Sequence, residues 1–339
     1  MQQPIIFKTP IFIKSFSSVG GYEEKRGPLG DLFDFCDESD LFGMNTWERA
    51  EGEMSRIALN IALKKADITP DKISVLAAGD LQNQCVASSG GLFSFGIPYI
   101  GLYGACSTCT ESILVASSLM SLDENYTYGA AVTSSHNCAA ERQFRTPIEY
   151  GGQRSPTAQW TTTASGAFIL SREISPIKIS AVMPGKIIDG YISDASNMGA
   201  AMALSASETI LTFFEKTGEK ITDYDLFLTG DLGKTGSSLL HEILIDKSSF
   251  GKEIKERHKD CGCLIFGENQ DSHAGGSGCG CSASVLASKI LPDVFDRKIK
   301  KMLLLSTGAL MSPSSIYQGD HILGITHLVK IEHNFDCFF

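Results

Sequence analysis

The chain has 339 residues, of which 43% are apolar and 20% charged, a composition that can bury one large core or two fused half-domains and excludes disorder over most of the length. Its formal charge is -10, with the acids spread along the chain, whereas a nucleic-acid surface needs clustered Lys and Arg; no nucleic-acid partner is expected. The opening segment MQQPIIFKTPIFIKSF breaks its apolar run with Pro4, Lys8 and Pro10, so no signal peptide is expected. Nor does any stretch approach the roughly 18 to 20 continuous apolar residues of a membrane span. The ten cysteines sit largely in apolar or glycine-rich runs, where free Cys behaves as a small hydrophobe, which predicts free thiols in a reducing compartment.

In chain order, Met54, Ile57, Ala58, Ile61 and Ala62 recur at helical spacing, with Asn45 and Glu48 offering a start. Residues 73–78 (ISVLAA) read as a buried strand ending in Gly79-Asp80-Leu81. A glycine-rich loop follows, and GACSTC (104–109) opens a helix whose inner face holds Ile113, Ala116 and Met120. Residues 130–133 and 167–170 read as short strands. The second half repeats the order. Met202, Ala206, Ile210, Phe213 and Phe214 mark a helix; a strand from Leu226 ends in Gly230-Asp231-Leu232. A further glycine loop leads to GSGCGC (276–281) at a helix start, then strands at 302–305 and 322–325.

Two matched series predict an internal duplication, with halves at 1–172 and 173–339. Strands alternating with helices predict mainly parallel sheets covered by helices, giving an α/β fold in α/β/α/β/α layers. Ligand sites in such sheets form beyond the carboxyl ends of the strands, where both Gly-Asp-Leu corners fall, so the site is expected between the halves.

Cys106 lies between a small-residue turn and a helix start, where the helix dipole and free N–H groups lower a thiol's pKa. Read as chemistry, it is a nucleophile; read as packing, it is a small residue filling a tight turn. Cys109, one turn further on, reads as packing. His136, after the strand in TSSH (133–136), is either a satisfied structural residue or a group facing the same cavity. Arg142 and Arg145 flank Phe144 and suit carboxylate recognition, or else an ion pair. The loop from Gly151 to Pro156 is expected to line or cover the cavity. Cys261-Gly-Cys263 and Cys279-Gly-Cys281 are spaced too tightly for a zinc knuckle, and Cys263 reads as leading into a strand at 264–266; no metal site is expected. There is no P-loop, no G-x-S-x-G, no H-E-x-x-H and no dinucleotide glycine pattern, so no cofactor is expected.

The corner GACST followed by an amphipathic helix resembles the nucleophile corner of ketoacyl synthases and thiolases. A closer resemblance, to the SpoVAD family of sporulation proteins, is carried by FSSVGGYEEKRGPLGDLFD (16–34), WERAE (47–51), GLYGACST (101–108), TSSH (133–136), ERQFRTPIEYGGQRSPTAQWT (141–161) and HAGGSGCGCSA (273–283). It implies a thiolase-like fold. It also implies a non-catalytic protein that binds dipicolinic acid, or its calcium chelate, in endospore formers. Such a protein works with other SpoVA membrane proteins, on the cytoplasmic side of the spore inner membrane, in uptake during sporulation and release in germination; a homodimer through a sheet edge is compatible with the fold.

The condensing enzymes add two polar groups, commonly His with His or Asn, to the thiol. Here one position falls at Asp231 and the other in the loop His273-Ala274-Gly275-Gly276. An anionic Asp231 would repel an enolate, so condensation is disfavoured, though a Cys106-dependent acyltransferase or condensing enzyme is the alternative. A scaffold with a vestigial cavity is a third reading. For a dicarboxylate ligand the expected contacts are Cys106, Ser107, His136, Arg142, Arg145, Asp231, His273 and Gly276.

Overall fold

A computed structural model of the chain describes residues 2–144 and 154–337. The elements that place the site are β1 (Ile5–Gly20), α1 (Trp47–Ala66), β2 (Ile73–Gly79), β3 (Tyr99–Leu102), α2 (Thr108–Leu122), β4 (Tyr128–Ser135), α3 (Asn137–Phe144), β5 (Ala164–Ser171), β6 (Ile177–Met183), α4 (Met198–Thr217), β7 (Leu226–Thr229), α5 (Gly233–Lys247), β8 (His258–Asp260), α6 (Cys279–Val285), β9 (Lys301–Leu310) and β10 (Leu323–His333).

The strands run in the order β8-β7-β9-β10-β6-β1-β5-β4-β2-β3. Read outward from the β6–β1 seam, the halves are β1-β5-β4-β2-β3 and β6-β10-β9-β7-β8, the same arrangement twice. Asp80 and Asp231 each follow the fourth strand from the seam, β2 and β7, and so occupy equivalent corners. The expectation of mainly parallel sheets needs correction. In each half the outer pairings are parallel, but the inner ones and the seam are antiparallel. A second correction concerns Leu264 and Ile265, which belong to a short helix, Cys261–Ile265. The Asp260 carboxylate caps it by accepting from Cys263 N at 3.2 Å.

Side-chain alternation explains the layers. On β7, Leu226 and Leu228 join the central core with Ile113, Met120, Phe168 and Val285, while Phe227 joins an outer core with Met202, Ile210 and Phe213. Strands buried on both faces read as continuous apolar runs for this reason. The helix α2 touches strands of both halves and α6 packs on strands of the first half; α1 covers the first half and α4 the second. Caps fix the outer helices. Thr46 accepts from Arg49 N at the start of α1, and Asn197 accepts from Ala200 N at the start of α4. Gly218, at φ +66°, ends α4 in the left-handed conformation that glycine adopts without steric cost.

The window 105–122 does have the length and apolar character of a membrane span, against the sequence expectation. Of that window, 56% is buried inside the fold, and its place in the middle layer accounts for its composition.

Candidate functional site

Cys106 sits in the single turn Ala105–Ser107 that leads into α2. Ala105 holds φ +51°, a left-handed conformation that costs a residue bearing Cβ about 1 kcal/mol or more. Local hydroxyls stabilise the turn: Ser107 Oγ donates to Gly104 O at 2.6 Å, and Thr108 Oγ1 donates to Ala105 O at 2.7 Å. Across the halves, Ser306 N on β9 donates to Thr110 Oγ1 at 2.9 Å.

Behind the thiol lies Asp231, fully buried at the end of β7. Its Oδ2 accepts from Gly278 N at 2.8 Å and its Oδ1 accepts from Thr307 Oγ1 at 3.1 Å. Burial pushes the Asp231 carboxyl up to about 7, against the lowering effect of those donors. Burial and then Asp231 push the Cys106 thiol well above its ordinary value. Desolvation and the adjacent carboxyl act against the lowering expected from the helix start. Gln159 fixes this corner from below: its Nε2 donates to Asp231 O at 2.7 Å and to Gly276 O at 2.8 Å.

In front of the thiol is a cavity of about 230 Å³ between the halves. Leu81, Tyr103, Cys106 and Phe144 line it from one half, Ser277 and Met311 from the other, with Ala140, Glu141 and Thr161 completing much of the wall. No Lys, Arg or His is among the described residues that line it.

The expected contacts fall as follows. Cys106 faces the cavity. Ser107 is buried and its hydroxyl is used within the turn. Asp231 lies behind the thiol, off the wall. His136 is fully buried, with Nε2 against Asp40 O at 2.9 Å and Nδ1 without a partner among the described residues; burial lowers its pKa, which keeps the ring neutral. Arg142 pairs with Glu48 and lies over Trp47, 5.1 Å from the ring centroid. His273 contacts Ser155 O and Asp271. Gly276 pairs with Trp160, and a Cβ there would meet Ile265 Cγ2 at 2.6 Å, so its role is close packing. Arg145 and residues 151–153 of the glycine loop lie outside the described residues. His136, Arg142, His273 and Gly276 are not on the cavity wall.

Sequence reasoning passed over Gln159, Gly278 and Thr307. Gln159 stands inside a quoted segment, but nothing in its surroundings marks an amide that bridges two carbonyls distant in the chain.

The fold and corner define a thiolase-like protein. Solved structures agree: 3-oxoacyl-[acyl-carrier-protein] synthase III from Aquifex aeolicus has a TM-score of 0.58 at 13% identity, covering 94% of this chain and 99% of that one. Cerulenin-bound OleA from Xanthomonas campestris has a TM-score of 0.62 at 14% identity, covering 97% and 98%. At these identities the likeness shows the fold alone. The family model Stage V sporulation protein AD (SpoVAD) matches residues 1–332. Stage V sporulation protein AD of Bacillus subtilis (strain 168) is 42% identical over 332 residues, 98% of this chain and 97% of that protein. The chain belongs to the SpoVAD family.

Proposed function

We propose that this chain binds dipicolinate, free or as its calcium chelate, in the cavity at Cys106, without turning over acyl thioesters. The observation that carries the reading is the fully buried Asp231 at the thiol's corner, its carboxyl engaged by Gly278 N and Thr307 Oγ1 and, with burial, holding the Cys106 thiol above its ordinary value. A condensing thiol needs a base to take its proton and donors for the oxyanion. Asp231 instead disfavours the thiolate, and it has no free edge in the cavity. What is left is a partly open cavity with Tyr103, Phe144, Leu81 and Met311 for a flat ring, neutral hydroxyls at Thr161 and Ser277, and the Glu141 carboxyl in its wall. Membership in a sporulation family supports the ligand class. Because the described wall has no cation, chelation by calcium offers one way to offset the ligand's two charges.

In this reading the 1–172 and 173–339 halves close on the ligand from either side. The protein acts beside other SpoVA membrane proteins, peripheral to the cytoplasmic face of the spore inner membrane. Titration calorimetry with dipicolinate, with and without calcium, is the test. Saturable heat that disappears in Ala140→Phe, which fills the cavity, supports the reading; heat unchanged in that variant, or none in the wild type, overturns it.

A further inference from the structure

The segment after residue 153 borders a second hollow of about 290 Å³, walled in part by Trp160 and Phe266 and sharing no lining residue with the Cys106 cavity. Beside it, Arg154 and His273 hold the two oxygens of one carboxylate. Arg154 Nη2 lies 2.8 Å from Asp271 Oδ2 and also donates to the Asp271 carbonyl; His273 Nε2 lies 2.9 Å from Oδ1. His273 Nδ1 meets Ser155 O at 2.7 Å, so both ring nitrogens face acceptors. The guanidinium lies over Trp160, 5.0 Å from the ring centroid.

The exposure of this cluster is inverted for a simple surface ion pair. The carboxylate is 81% exposed while the Arg154 and His273 side chains are recessed at 25% and 24%. Arg154 Nη1 is sealed from solvent and has no partner among the described residues. Asp271 therefore occupies a recessed two-point carboxylate site from its open side and leaves one donor unused.

We propose that Arg154 and His273 form a second ligand site, a clamp for a small aromatic carboxylate whose ring lies along Trp160 and Phe266, with Asp271 seated in it as an internal competitor. Planar Arg recognises a carboxylate through paired N–H groups, and the neighbouring aromatic wall takes a flat ring. Arg26 and Glu23, paired at 3.0 Å, also line the hollow and balance each other's charge. Displacing Asp271 breaks no covalent bond and leaves Arg154 held by the Asp271 carbonyl and by Trp160. An internal carboxylate competes at an effective concentration on the order of millimolar, so the wild-type clamp binds weakly and its removal tightens binding.

The chain has two tryptophans, and Trp47→Phe leaves Trp160 as the single reporter in the clamp. In that background picolinate is titrated against Trp160 fluorescence. Asp271→Ala is expected to tighten the apparent affinity by about tenfold, Arg154→Lys to weaken it by loss of the fork, and Arg154→Ala to remove it. Ala140→Phe, which closes only the Cys106 cavity, is expected to leave the Trp160 titration unchanged, so failure of the dipicolinate reading and failure of the clamp register separately. Equal affinity in wild type and Asp271→Ala, or an undiminished response in Arg154→Ala or Arg154→Lys, overturns the proposal.

Discussion

Asp231 accepts from the backbone N–H of Gly278 at 2.8 Å, and the contact joins the end of β7 to the start of α6. Its duplicate, Asp80, spends its carboxylate within its own half, accepting from Gln82 N at 2.8 Å and Ser88 N at 2.7 Å. In the second half that local duty falls to Asp260, which accepts from Leu232 N at 2.8 Å and Gly233 N at 2.9 Å. The exchange frees Asp231 to reach Gly278, Thr307 and Cys106. The two topologically matching corners thus differ, one supporting a turn and the other neighbouring the thiol.

Replacing that carboxyl should release the thiol. Asp231→Asn removes the charge that opposes thiolate formation while its amide oxygen can still accept from Gly278 N. Alkylation of Cys106 by iodoacetamide, followed by peptide mass, should begin at lower pH in the variant than in the wild type. An unchanged pH profile would show that burial alone controls Cys106.

Acyl transfer gives an independent check on the non-catalytic reading. Incubation with acetyl-CoA or malonyl-CoA should leave the intact mass unchanged, because burial and the adjacent Asp231 disfavour the thiolate. A Cys106-dependent acyl adduct formed within a turnover-relevant time would falsify this and promote the condensing enzyme.

Stability should fall as the medium becomes more alkaline through the neutral range. Burial raises Glu24 and Glu51 from 4.5 to about 8 and Asp231 from 3.8 to about 7. Between about pH 4 and 8 the folded chain holds protons that the unfolded chain has released, so their stabilising contribution is complete below the unfolded values and lost on rising through the folded ones. Glu219 acts oppositely. Ion pairs with Lys301 and Lys330 lower it to about 2, so its contribution is lost as pH falls from about 4.5 toward 2. Urea midpoints at pH 5 and pH 8 should differ less in Glu51→Gln than in the wild type; equal differences would remove Glu51 from the account.

Gln159 is expected to matter for folding more than its neighbours in sequence suggest. Gln159→Ala leaves the buried Asp231 and Gly276 carbonyls without their shared donor, at a cost of about 2–4 kcal/mol for the pair. Gln159→Met removes the same donor with similar length and no new charge and should lose a similar amount in urea denaturation. A loss below about 0.5 kcal/mol in both, the range of ordinary surface substitutions, would mean that water replaces the amide.

Much of the architecture was legible from local pattern. Helical spacing at Met54–Ala62 and Met202–Phe214, the strands before Asp80 and Asp231, and the helix starts at Cys106 and Cys279 all depend on neighbouring residues, and they match α1, α4, β2, β7, the turn leading into α2, and α6. The seam was not legible in that way. β1, which pairs with both β5 and β6, is interrupted by Lys8, Pro10 and Lys14 and shows no clean strand period, and β6 passes unmarked after it; their order in the sheet comes from pairing partners roughly half the chain apart. The site divides similarly. The sequence alone determined that a small thiol would stand at a helix start beside a glycine-rich turn. Whether that thiol met a base, a donor or a carboxyl, and whether His136 and His273 turned toward it or toward Asp40 and Asp271, was decided only when long-range packing brought those side chains together and burial set their charges.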